Sequence, residues 1–145
     1  MNRIILFIFF AIFMVSSCTV EPQPIEYGKD ACHFCKMNIV DQQHAAEIVT
    51  KKGKSFKYDA IECMLNEMNT RNKNEIALFL VNTYDVPSKL FDAKKTTYLI
   101  SEAIKSPMGA NLSAFKDKNI GILTQNEKGG DIYTWEELKI KFSEK

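Results

Sequence analysis

The sequence has no surplus of charge: 145 residues carry 19 lysines and arginines against 18 acids, a formal net charge of +1. That balance offers no hold on a phosphate backbone, and no basic stripe segregates along the chain, which argues against nucleic-acid binding. Histidine is nearly missing as well, with two residues, and neither stands in a catalytic triad. A nucleophile elbow, a phosphate-cradling glycine loop and a metalloprotease helix motif are all absent. The length excludes a large multidomain enzyme and suits one compact unit or two very small ones. What remains is four cysteines and six methionines, few enough to weigh one by one.

The one long apolar run lies at the start. Arg3 is followed by Ile4 to Val15, then by Ser16 and Ser17 directly before Cys18. A charged start, an apolar core and small residues form a secretory signal, and the run is shorter than the roughly 20 residues a bilayer span needs. Val15-Ser16-Ser17-Cys18 is similar to the bacterial lipobox. The likeness implies cleavage before Cys18, its acylation, and an exported domain held in the cell envelope by membrane lipid, facing the periplasm or exterior. Residues 1–17 are thus read as a lipoprotein signal peptide and 18–29, with Pro22, Pro24 and Gly28, as a flexible tether.

The region 30–145 reads as α+β. Ala45 to Thr50 and Lys54 to Tyr58 flank Gly53, a hairpin signal. Asp59 with Glu62 suggests a capping box, opening a helix with Ile61, Met64, Leu65 and Met68 on one face. Ile76 to Val81 has the length and bounds of a buried strand. Strands are further expected at Thr96 to Ile100, Ile120 to Thr124 and Asp131 to Tyr133, with Gly129-Gly130 turning the chain. A last helix is capped by Thr134 and Glu137 and carries Trp135, Leu138 and Phe142. Hairpin followed by helix, at 48–69 and again at 120–143, suggests two small ββα-type units with short antiparallel sheets, sub-units 30–85 and 86–145. Neither would bury enough surface alone, so the two are expected to pack together.

The chemistry gathers in Cys32-His33-Phe34-Cys35-Lys36-Met37. Thiolates and thioethers are soft, polarisable donors that favour Cu(I) over harder ions, and Cys32, Cys35 and Met37 are close enough in sequence to share one ion. A closed zinc site would lack ligands, with only Cys63 and His44 left to complete it. Two other readings stay open. One is a thiol-disulfide oxidoreductase using Cys32 and Cys35, although the pair follows a Pro-containing tether and not a strand that opens a helix. The other is a plain stapling disulfide. Cys63, beside Met64 on the helix stripe, reads as core filling. His33 is either a ligand or an exposed neighbour, and His44 a surface or structural residue. Met108, held on a turn by Pro107 and Gly109, is a candidate further soft ligand.

Taken in order, the lipobox Cys18, Cys32 to Ile39, Gly53 to Cys63 with Tyr58-Asp59, Ser106-Pro107-Met108-Gly109 before Ala114-Phe115, and Gly129-Gly130 resemble the NosL family. These are copper-binding accessory lipoproteins of nitrous oxide reductase maturation. Lys36 departs from that pattern, which has Gly at this step. The resemblance implies a metallochaperone and not an enzyme, with a fold related to the core of organomercurial lyase. It also implies Cu(I) held by Cys32, Cys35, Met37 and Met108, and delivery to an ABC-type maturation complex and through it to nitrous oxide reductase.

Overall fold

The computed structural model describes residues 19–143. The signal segment 1–17 and Cys18 lie outside the described residues. The first sheet holds four strands in the order β2-β1-β3-β4, namely β1 Ala46–Thr50, β2 Ser55–Tyr58, β3 Ile76–Asn82 and β4 Leu90–Asp92. All neighbours are antiparallel, and β1 bulges between Val49 and Thr50 where it leaves β3. β1 is an inner strand, so its side chains are buried on both faces. β2 lies at the edge and alternates, with Phe56 and Tyr58 inside and Ser55 and Lys57 half-exposed. The second sheet is β6-β5-β7, with β5 Thr97–Ile100 between β6 Leu112–Phe115 and β7 Asp131–Tyr133.

Among the described residues, three α-helices complete the α+β fold: α1 Ile61–Met68, α2 Lys118–Lys128 and α3 Trp135–Ser143. The apolar stripe of α1 covers the first sheet, and α3 packs beside it, with the Asn69 amide donating to the Phe142 carbonyl at 2.8 Å. Trp135 stands between the sheets, its ring 5.5 Å from Phe79 of β3 and 6.0 Å from Tyr98 of β5. One continuous core therefore runs through both sheets. His44 fastens them again. It is buried, with Nδ1 3.0 Å from Asp41 Oδ1 and Nε2 3.0 Å from Ser113 Oγ on β6.

Four expectations change. Ile120 to Thr124 is not a strand but part of α2, so the hairpin expected over 120–133 is absent. Its β-branched residues are overridden by caps at both ends: the Asp117 side chain accepts from Asn119 N, and the Gly129 N–H returns to the Gln125 carbonyl. Gly121 lets this helix lie against Phe115. The division at residue 85 does not follow the sheets, because β4 lies beyond it and pairs with β3.

The Asp59–Glu62 capping box does not form either; α1 opens at Ala60 with no side-chain cap, and both carboxylates are turned to other work. Finally, the tether is not a free leash from Gln23 onward. Gln23 N donates to buried Glu47 at 2.9 Å, Lys57 Nζ donates to the Pro24 carbonyl at 2.7 Å, and Ile25 and Tyr27 pack on the core. The capping box of α3 is formed, with Thr134 N donating to Glu137 Oε2 at 2.7 Å.

Candidate metal centre

Residues 30–39 fold into a tight loop on the end of the first sheet. Its ends meet in a single antiparallel bridge between Ala31 and Asn38, and Ile39 N donates to the Asp30 carbonyl at 2.9 Å. Inside, Cys32 N donates to the Met37 carbonyl at 2.8 Å and Lys36 N to the Cys32 carbonyl at 3.0 Å. Closing so short a loop forces Lys36 into the left-handed region, φ 67°. The loop is pinned to β2 by His33 N donating to the Lys57 carbonyl at 2.8 Å and by the Lys57–Asp30 ion pair at 2.6 Å.

The first turn of α1 meets this loop, and Cys63 arrives with it. The sulfurs of Cys32, Cys35 and Cys63 all lie within 4.8 Å of one another, and all three are free thiols. Cys32 and Cys63 are each 1% exposed, while Cys35 is half-buried. Cys63, expected to fill the core, is thus the third member of the cluster. A lone cysteine on an apolar helix stripe has the same pattern whether it packs or ligates. Nothing local separates the two; only the packing of the first turn of α1 on the 30–39 loop brings Cys63 to the other sulfurs.

The three sulfurs are electrostatically unequal. A hydrogen bond from the Cys63 thiol is the largest influence on Cys32. Against the opposing effect of burial, and with the backbone N–H groups of Asp59 and Cys35, it brings the Cys32 thiol down to about 5. Cys63 moves strongly the other way, because its proton is the one held against the Cys32 sulfur and because it is buried. Burial also raises Cys35. At neutral pH the cluster is one thiolate clasped by two thiols, a soft-donor set already holding one negative charge.

Around it stand the residues diverted from the expected cap. Asp59, raised by burial, accepts from Val40 N and keeps one carboxylate oxygen buried without a partner. Glu62 accepts from Ser106 Oγ and from Ala110 N at 3.3 Å, and so clamps the 106–110 turn to the residue next to Cys63. That turn carries Met108, 42% exposed, and Met37, at the end of the cysteine loop, is 54% exposed. His33 is not among the clustered ligands. Its Nδ1 is engaged by Glu67 at 2.9 Å, Glu67 is in turn paired with Arg71, and its ring stands edge-on to Phe56 at 4.7 Å.

The arrangement defines a small α+β protein with a three-thiol site able to hold a soft metal ion at one end of a sheet. The comparisons give that class a family. The NosL family model matches residues 24–142, so the chain belongs to the NosL family. The fold is similar to the crystal structure of the copper chaperone NosL from Shewanella denitrificans, with a TM-score of 0.71 and 18% identity, over 82% of this chain and 96% of that one. No curated protein matches the sequence.

Proposed function

We propose that this protein is an exported Cu(I) carrier, a metallochaperone and not an enzyme, anchored to membrane lipid through acylated Cys18. Its cargo goes to an ABC-type maturation complex serving nitrous oxide reductase. The observation that carries the binding function is the convergence of three free thiols within 4.8 Å at the rim of the fold. Three sulfurs satisfy Cu(I), which accepts low coordination numbers and prefers thiolate to harder donors. Met37 and Met108 are proposed as exchangeable thioether ligands, because each is exposed on a loop fastened beside the thiols. Membership of the NosL family supports the delivery role.

The oxidoreductase reading fits the geometry less well. An attacking thiolate must be reachable, yet the low-pKa sulfur is Cys32, at 1% exposure, and the more accessible Cys35 has a raised pKa. The test is an anaerobic Cu(I) titration of the full chain against a competing chelator, with X-ray absorption to count sulfurs. Expected are at least two Cu–S contacts in the wild type, and large affinity losses in Cys32→Ser, Cys35→Ser and Cys63→Ser. Met108→Ala should show a smaller loss with the fold retained. Binding no tighter than the chelator's would overturn the copper assignment. Unchanged nitrous oxide reductase maturation in a strain carrying only the triple cysteine variant would overturn the delivery role.

A further inference from the structure

The turn joining β1 to β2 is Lys51-Lys52-Gly53-Lys54, and the neighbouring one-turn helix, Lys73–Glu75, is held against it by Lys51 N donating to the Glu75 carbonyl at 2.8 Å. Lys51, Lys52, Lys54 and Lys73 are all exposed, and among the described residues none of the four is in an ion pair. Lys54 rests its ammonium over the Phe56 ring at 4.7 Å, which leaves the charge uncompensated. Glu75 is the acid placed against this turn, so the four lysines leave a local positive excess in a protein whose overall formal net charge is +1.

The chain also enters the described fold here. A Cβ placed on Gly53 would come within 2.9 Å of the Thr19 carbonyl oxygen, so the residue after Cys18 runs against the lysine turn itself. From these two observations we infer that the 51–54 turn with Lys73 is a docking surface for an anionic phospholipid bilayer. It would act as a second contact that orients the domain about its lipid anchor. The inference rests on the lipoprotein reading above for the anchor, and on charge complementarity for the surface. Lipid on the thiol and amine of Cys18 fixes attachment but leaves the domain free to swivel, and a basic patch beside the anchor adds the electrostatic contact that sets its orientation. Each lysine at an anionic surface is worth about a fivefold gain in binding, so three of them are worth roughly a hundredfold.

Orientation is the functional content of this surface. Asp59, whose N–H faces the Cys32 sulfur, follows the far end of β2, whose four extended residues span about 13 Å from the lysine turn. A domain seated on its lysine turn therefore holds the thiol cluster out of the headgroups and toward soluble partners.

The test uses the full chain processed in a bacterial host, purified in detergent and reconstituted into two kinds of vesicle. One is phosphatidylcholine alone, and the other contains about one third phosphatidylglycerol. Mass spectrometry of the N-terminal peptide reports Cys18 acylation, and amine acetylation footprinting reports each lysine. Lys51, Lys52, Lys54 and Lys73 are expected to react at least threefold more slowly on the anionic vesicles, with protection lost in 0.5 M salt and Lys105 and Lys139 unchanged. In the Lys51→Glu/Lys52→Glu/Lys54→Glu variant, Lys73 should lose its protection. Equal labelling on both vesicles overturns the docking surface even where Cys18 is acylated. An unacylated Cys18 with the four lysines still protected overturns the anchor and leaves the surface standing.

Discussion

Copper binding by the three-thiol site has a proton count that the structure specifies. Cys32 is an anion above about pH 5, while Cys35 and Cys63 are raised and keep their protons through neutrality. Ligation requires thiolates. Three-sulfur capture at pH 7 is therefore expected to release about two protons and not three, and affinity should rise about a hundredfold per pH unit between roughly pH 6 and 8. Below pH 5 the Cys32 thiolate is itself neutralised, and the dependence steepens by a further factor of ten per unit.

Calorimetry of Cu(I) transfer from a chelator, run anaerobically in buffers of different ionisation enthalpy, measures this number directly. Cys35→Ala leaves the Cys63–Cys32 hydrogen bond in place and should release about one proton. A wild-type value near three would mean that Cys32 is an ordinary thiol and would refute the electrostatic reading. A value near one would remove either Cys35 or Cys63 from the ligand set.

Three further outcomes are expected. Lys36→Gly relieves a left-handed backbone at φ 67° and should stabilise the protein by about 1 kcal/mol, seen as a raised Tm; a lowered Tm would mean that the Lys36 contact to the His33 carbonyl outweighs the strain. Glu62→Ala removes the acceptor for Ser106 and Ala110 and should cost about 1–3 kcal/mol in urea unfolding while speeding amide exchange at Ala110; unchanged exchange there would show that the Met108 turn is held by something else. Gly130→Ala places a Cβ 2.2 Å from the Ile100 carbonyl oxygen at φ 101°, and a loss of about 3 kcal/mol is expected; a loss under about 0.5 kcal/mol would show that β7 shifts freely against β5.

Much of the fold was legible where periodicity and local chemistry agree. The 46–58 hairpin, the strand from Ile76, the α1 stripe and the Thr134 cap all have signals within a few residues of themselves. The strand expected at 120–124 gives way to a helix because Asp117 caps and Gly129 closes it, both outside that five-residue window, which itself holds the β-branched Ile120, Ile122 and Thr124. The site was legible at Cys32 and Cys35 because their spacing is local. Cys63 becomes a partner only when α1 brings its first turn onto a loop 30 residues earlier, and the tether takes its place only when Glu47 is already buried to receive it. Both are products of tertiary packing, and neither leaves a local pattern. Lys36 shows the converse: the departure from Gly noted in the sequence marks the one residue of its loop with positive φ.

The unequal access of the three sulfurs also gives any bound ion a direction of travel. Cys32 and Cys63 are sealed from solvent, and Cys35 alone reaches the surface, between exposed Phe34 and Met37. An incoming thiol or thioether can displace Cys35 without opening the fold, whereas displacing either of the other two first would require α1 and the cysteine loop to part. Loading would then run from Cys35 inward and unloading from Cys35 outward, through one doorway, so that donor and acceptor must take turns at the same face.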